Sequence, residues 1–340
     1  MVIGENGSGK TSLLEAVFLM GHGRSFRQAR DPALSRWESE GFSVTGTWMR
    51  YGPLKVSVSR KGNSNQVYLQ GCRLQRHTEL TETLPVLVES PQGARLVDGV
   101  PGERRRWLDQ MMLYCRSDVA RHYHAYLRCL MQRGRLLRRG CAAEEIEVWE
   151  HQMVVHGSVL MQVRADMLED LNNILESELS LTEARVRVSI HLTAPVEKEA
   201  WIHRLAVQRK KGVSRGVLRI GPHCDRVIID YGGRDIRACG SRGQQKLAAV
   251  AVRLAECTLR RQHRGLMPLL LLDDCLEALD PLRQQRLLER LASHSGQVLM
   301  TCPVGTQLPE GLEMDCYILT ASSDDSRRIE PVITGVEEAA

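Results

Sequence analysis

The stretch Gly4-Glu5-Asn6-Gly7-Ser8-Gly9-Lys10-Thr11 decides the fold. It fits G-x-x-x-x-G-K-[ST], the pattern of a phosphate-binding loop. Glycines let the backbone curl with several N–H groups pointing inward, a path that side chains would obstruct. Those N–H groups and the N-terminus of the next helix make a nest for phosphate oxygens. Lys10 reaches the outer phosphates, and the Thr11 hydroxyl is placed for Mg2+. The context agrees: Met1-Val2-Ile3 reads as the tail of a strand, and Ser12 to Met20 as an apolar helix. Lys10 is expected to be exposed without ligand. Only three residues precede the loop, whereas strands run to about five or six, so the chain reads as cut short at its N-terminus. No basic flank and apolar run mark a signal peptide.

Two further stretches match that loop. Leu269-Leu270-Leu271-Leu272 runs into Asp273-Asp274. A continuous apolar run of this length fits a central parallel strand buried on both faces. Carboxylates at its C-terminal end lie where ligands bind in open α/β sheets. Asp273 is placed to hold magnesium and Asp274 to polarise the attacking water. Upstream, Cys239-Gly240-Ser241-Arg242-Gly243-Gln244-Gln245-Lys246 leads into an alanine-rich helix. Ser241 and Gly243 there leave N–H groups for an anion, or Ser241 is an ordinary N-cap.

Between these stretches the periodicity changes twice. Phe42–Trp48, Leu54–Ser59 and Gln66–Leu69 alternate, which predicts a small antiparallel sheet. Pro85–Glu89 is a further short strand. From Pro101 to about 180 the pattern is helical, with breaks expected at Gly134 and Gly140. Residues 101–140 hold ten arginines against Glu103, Asp109 and Asp118. Glu144, Glu145, Glu147 and Glu150 follow. A basic arm beside an acidic one either binds nucleic acid through Arg133, Arg135, Arg138 and Arg139 or is a salt-bridged helix pair. Arg185–Leu192 and Arg226–Tyr231 read as strands.

Composition narrows the class. With 340 residues the chain holds about two domains. No apolar run approaches a membrane span. The ten cysteines form no C-x-x-C pair, so neither zinc nor a disulfide framework is signalled, and a cytoplasmic protein is expected. The formal charge is +5, with 46 basic residues that are mostly arginine. Three Phe and seven Tyr leave little for a base-stacking surface.

Phosphate loop, Ser-Arg-Gly-Gln-Gln and Leu-Leu-Leu-Leu-Asp-Asp occur in the order of the ABC-type ATPase heads of the SMC and RecF group. Gly21-His22-Gly23-Arg24-Ser25-Phe26-Arg27, Gly102–Asp109 and Gly221-Pro222-His223 resemble the RecF family of bacterial recombination and gap repair. The resemblance implies an α/β fold: an ABC-type P-loop ATPase core with a helical insertion lobe and a small antiparallel sheet. Its divisions are expected at 1–100 (first part of the core), 101–205 (helical lobe) and 206–340 (second part of the core). It implies ATP and Mg2+ as cofactors and an ATP-dependent homodimer. Residues 4–11 of one subunit would face Ser241, Arg242, Gly243 and Gln244 of the other. It further implies binding to single- and double-stranded DNA at gaps, slow ATP hydrolysis used as a switch, RecR-like and RecO-like mediator partners, and loading of a RecA-type recombinase. Three departures from the family pattern stand out: Cys224-Asp225-Arg226 after Gly-Pro-His, Gln92 as the nearest glutamine to a Q-loop, and Cys302 where a histidine switch would lie. These fit slow hydrolysis or a degenerate, non-hydrolysing paralogue.

Overall fold

The computed structural model describes residues 1–27, 34–35, 39, 41–61, 64–91, 96–210, 218–306, 314–321 and 327–331. In chain order, β1 (Val2–Gly4) leads through the glycine-rich loop into α1 (Lys10–His22). Then come β2 (Gly41–Met49), β3 (Pro53–Lys61), β4 (Ser64–Leu69), β5 (Cys72–Arg73), α2 (His77–Thr83) and β6 (Val86–Glu89). The helical stretch contains α3 (Pro101–Cys115), α4 (Ala120–Arg139), α5 (Ala143–Leu175) and α6 (Leu179–Thr182). Next are β7 (Val186–His191), α7 (Lys198–Lys210), β8 (Arg226–Tyr231), β9 (Arg234–Asp235) and α8 (Ile236–Cys239). The chain continues through α9 (Arg242–Arg264), β10 (Leu269–Leu272), α10 (Pro281–Ala292), β11 (Val298–Pro303), β12 (Tyr317–Ala321) and β13 (Arg327–Pro331).

The chain forms two compact units, one of Met1–Asp98, Ser180–Glu183 and Gly240–Ala340, the other of Gly99–Leu179 and Ala184–Cys239. In the first, six strands lie in the order β13-β12-β1-β11-β10-β6. All neighbours are parallel except β12 and β13. Leu269–Leu272 of β10 are all buried, as the uninterrupted apolar run predicts for a strand covered on both faces. On one face, Leu14 and Phe18 of α1 pack on Val86, Val88 and Leu271. The separate sheet β2-β3-β4-β5 presents Val56, Val58 and Val67 to Leu80 and Leu84. Valines two residues apart share a face because side chains alternate along a strand. This is the α/β architecture, with helical insertion and small antiparallel sheet, that the sequence predicts.

In the second unit, α3, α4 and α5 carry the arginine-rich stretch, and β7, β8 and β9 form a three-stranded sheet. The expected boundary at 205 falls instead at Cys239. The reason is pairing: β7 and β8 join in register from Val186↔Tyr231 to His191↔Arg226, so 226–239 stays with the lobe. The break expected at Gly134 is also absent. Gly134 is buried inside an unbroken α4. The helix stops at Gly140, whose φ of 67° suits glycine and lets its N–H meet the Leu136 and Leu137 carbonyls. All ten cysteines are free, and no three potential metal ligands cluster among the described residues. No helix of the described residues is long and apolar enough to cross a membrane. Gln92 and the stretch from Val332 onwards lie outside the described residues.

Candidate nucleotide site

The loop between β1 and α1 is shaped by its glycines. A Cβ on Gly4 would lie 2.6 Å from Ser8 Oγ and 2.9 Å from the Leu319 carbonyl oxygen. Gly7 and Gly9 hold φ of 83° and 102°, a region that side chains disfavour. Gly9 caps α1 with no side chain, so the first-turn N–H groups have no side-chain acceptor, and no acidic residue competes for them. Ser8 Oγ is buried without a hydrogen-bond partner. These are the donors an anion would meet.

Lys10 departs from expectation. It is 5% exposed, and its ammonium donates to the carbonyls of Gly4 at 2.8 Å and Glu5 at 2.9 Å. A buried cation needs acceptors, and the curled loop supplies two of them.

The Thr11 hydroxyl donates to Asp273 Oδ1 at 3.1 Å, joining α1 to the end of β10. Asp273 is 3% exposed and receives two more hydroxyls: Thr301 at 2.9 Å on Oδ1 and Ser90 at 2.9 Å on Oδ2. Ser90 follows β6 and Thr301 lies in β11, the strands on either side of β10, at the edge where parallel α/β sheets bind ligands. Sequence reasoning assigns neither residue a role. Their position beside β10 was the available signal, and it needed the strand order. A hydroxyl and a carboxylate side by side are the hard oxygen donors Mg2+ takes. The residues present therefore fit a magnesium-bound phosphate group.

Asp274 follows in a strained turn. Its φ is 47°, and that of Ala278 is 64°, both unusual for residues with a Cβ. Burial and the adjacent Asp273 raise the Asp274 carboxyl above its ordinary range. The turn is tied down from two helices. Lys246 of α9 donates to the Asp274 carbonyl at 2.7 Å and to the Glu277 carbonyl at 2.9 Å. Gln284 of α10 donates to the carbonyls of Leu276 at 3.2 Å and Leu279 at 3.1 Å. Thr301 Oγ1 also accepts from the Asp274 N–H at 3.0 Å. From the sequence Lys246 is only part of the stretch that leads into α9, and its clamp on the acidic turn is visible only in three dimensions.

At the start of α9, Ser241 and Gln244 form a capping box: the Gln244 N–H donates to Ser241 Oγ at 3.3 Å, and the Ser241 N–H to Gln244 Oε1 at 2.9 Å. The N-cap alternative is thus realised. Ser241 and Arg242 are exposed, and Gly243 is buried, with space for a Cβ limited by the Ala278 carbonyl oxygen at 3.1 Å. Further along α9, Arg253 pairs with Glu89 at 3.0 Å and with Glu256 at 2.9 Å, and Arg260 pairs with Glu256. Burial pushes Glu89 up to about 7 against the pull of Arg253.

In the helical unit, the four arginines named from sequence separate. Arg133 is 3% exposed and ion-pairs with the buried Glu150 at 2.8 Å. It is therefore a structural link between α4 and α5, and its place among surface contacts is corrected. Arg135, Arg138 and Arg139 are exposed, as are Arg121 and Arg128 on the same helix.

The sequence matches the family model described as RecF/RecN/SMC N terminal domain over residues 1–314. It is 31% identical over 317 residues to the DNA replication and repair protein RecF of Heliobacterium modesticaldum, covering 88% of this chain and 84% of that one. The chain belongs to the RecF family. The RecF protein of Moorella thermoacetica is 32% identical over 316 residues, covering 90% of this chain and 84% of its own. A solved RecF structure described as a recombination mediator protein, RecF-ATP, matches with a TM-score of 0.79 at 24% identity, over 97% of this chain and 90% of that one. The Smc head domain of Pyrococcus furiosus matches with a TM-score of 0.54 at 15% identity, over 97% and 89%. The RecF fold is thus that of the SMC-type ABC ATPase head.

Proposed function

We propose that the chain is an ATP-binding protein of DNA replication and recombinational repair. The Thr11–Asp273 hydrogen bond carries the reading, because it brings the phosphate loop and the acidic strand end to one point. Gly4, Glu5, Asn6, Gly7, Ser8 and Gly9 wrap the phosphates with backbone N–H groups. Lys10 exchanges its loop carbonyls for phosphate oxygens. Thr11 and Asp273 hold Mg2+, which screens phosphate charge when bound. Asp274 orients the attacking water, and its raised proton affinity suits a group that takes a proton in hydrolysis. Ser241, Arg242, Gly243 and Gln244 of a second copy face the γ-phosphate, so that ATP rather than ADP favours the homodimer. Arg135, Arg138 and Arg139 contact DNA phosphates, which carry no sequence information. Gapped single-/double-stranded DNA as target, RecR-like and RecO-like partners, and delivery to a RecA-type recombinase follow from family membership. A second reading, binding without hydrolysis, is favoured by the buried Cys302 beside Thr301, which has no basic ring to offer.

Nucleotide titration of the native chain and Lys10→Ala tests the assignment. ATP affinity is expected to fall by at least about tenfold, from loss of one charge-assisted contact. Because Lys10 is buried and doubly bonded, melting temperature is expected to fall as well. Equal ATP affinity in the two proteins would overturn the assignment. Turnover in the native chain, abolished by Asp274→Asn, separates the switch from the non-hydrolysing reading.

A further inference from the structure

The helical unit contains a second concave site. One face of α3 (Gly102, Arg105, Arg106 and Asp109) closes with Tyr123 and Leu127 of α4, Arg164 of α5 and the Pro222-His223 turn around a cavity of about 200 Å³. The i, i+3, i+4, i+7 spacing on α3 explains why those four side chains share it.

Its charges are unevenly used. Arg164 is spent: Nε donates to Asp109 at 3.1 Å, and Nη1 donates to the Pro222 carbonyl at 2.8 Å and to Asp225 at 3.3 Å. Asp225 is further covered by Thr193, whose N–H and hydroxyl donate to it at 2.8 and 3.1 Å. The Tyr123 hydroxyl lies against Asp109. Tyr126 and His223 satisfy one another at 2.7 Å, and the other His223 nitrogen meets the Leu218 carbonyl at 3.0 Å. The second ring nitrogen therefore carries the proton, and Tyr126 donates to the first. Arg105 and Arg106 remain. Arg105 gives one N–H to the Asp225 carbonyl at 3.1 Å. Among the described residues, neither guanidinium makes an ion pair with a carboxylate. Two forked cations at the wall of a partly closed cavity, beside acids already neutralised, suit a phosphate.

We propose that this cavity binds the phosphate group of a phosphomonoester, separately from the phosphate loop of the other unit. Arg105 and Arg106 grip the oxygens, and Tyr123 and Leu127 form the wall. A terminal phosphate carries more charge than a mid-strand diester and does not need chain to enter and leave. The two sources of such a group are a phosphorylated strand end and a free mononucleotide. The strand-end source rests on the DNA reading above; the free-nucleotide source does not.

The test uses the full chain with its phosphate loop saturated by a non-hydrolysable ATP analogue and magnesium. Oligonucleotides labelled at the 3′ end, with 5′-phosphate or 5′-hydroxyl, are titrated by fluorescence anisotropy. Inorganic phosphate and AMP are titrated by thermal shift. Proteins compared are the native chain, Arg106→Gln, Arg105→Gln/Arg106→Gln, and Arg135→Gln/Arg138→Gln/Arg139→Gln as control. Arg106 is exposed, so its variant is expected to fold even if the double variant does not. A strand-end ligand gives about tenfold preference for the 5′-phosphate, lost in Arg106→Gln and kept in the α4 variant even as overall affinity drops. A free-nucleotide ligand gives instead a melting shift with AMP and phosphate that Arg106→Gln removes, with no 5′-end preference. Failure of the DNA reading alone would abolish oligonucleotide binding and leave the AMP shift. If Arg106→Gln responds to every probe as the native chain does, the proposal is overturned.

Discussion

Replacing Lys246 by Met probes how the acidic turn is held. The native ammonium donates to the Asp274 and Glu277 carbonyls. Bonds from a charged donor contribute about 1.5–3 kcal/mol each, and the half-exposed position places these near the lower bound, about 3 kcal/mol together. Releasing the turn recovers strain, because Asp274 sits at φ 47°, where a residue with a Cβ costs about 1 kcal/mol. The net local loss is therefore about 2 kcal/mol. Gln284 still holds Leu276 and Leu279, so opening should centre on Asp274–Glu277. The Glu277 N–H, bonded to the Asp274 carbonyl at 3.3 Å, reports it. About 1.4 kcal/mol is a factor of ten in an opening equilibrium, so exchange there should speed up by about tenfold or more. Nucleotide affinity should stay constant, because the Thr11–Asp273 contact is untouched. Lys246→Arg, which keeps the donors, should restore most protection. Native-state hydrogen exchange with peptide resolution is the assay. Unchanged exchange across 274–279 in Lys246→Met would refute the clamp.

Other outcomes follow from the charge placement. Neutralising Arg135, Arg138 and Arg139 should make the slope of log DNA affinity against log salt shallower by about 2–3, at about 0.9 per lost phosphate contact, with melting temperature unchanged; a constant slope would remove α4 from the DNA surface. Arg133→Met should instead leave DNA affinity alone and destabilise the lobe by about 3 kcal/mol, because it leaves Glu150 buried with only Arg209 at 3.8 Å. Burial, with Arg260 and Arg24 nearby, holds the His22 imidazole down to about 3. A folded value below the unfolded one means its contribution is present above about pH 6.5 and is lost as pH falls towards the folded value. Stability by chemical denaturation should drop by about 1 kcal/mol from this group between about pH 6.5 and 5.5, and His22→Gln should shrink that drop; an identical drop in both proteins would argue against it. Burial lowers His156, His223 and His294 as well, which adds to the decline, whereas Glu89, raised to about 7, gains stability over the same window and offsets it, so the His22 share is read from the difference between the two proteins.

The sequence by itself determined the features that depend on local backbone demands and on runs of one character. Gly4 to Thr11 is legible because a curled anion loop needs glycines at fixed spacing. Leu269–Leu272 is legible because only a strand covered on both faces takes four consecutive leucines and then two acids. The valines at 56, 58 and 67 betray a half-covered sheet by alternation. What only the tertiary structure decided are the relations between distant segments. Strand order puts Ser90 and Thr301 on Asp273, and no spacing along the chain encodes that order. The pairing of β7 with β8 moves the lobe boundary to Cys239. Arg133 and Arg135 are two residues apart in one arginine-rich helix, yet one is buried on Glu150 and the other is exposed. Successive residues on a helix point about 100° apart, and which direction meets α5 is fixed by packing, which acts between surfaces that composition does not describe.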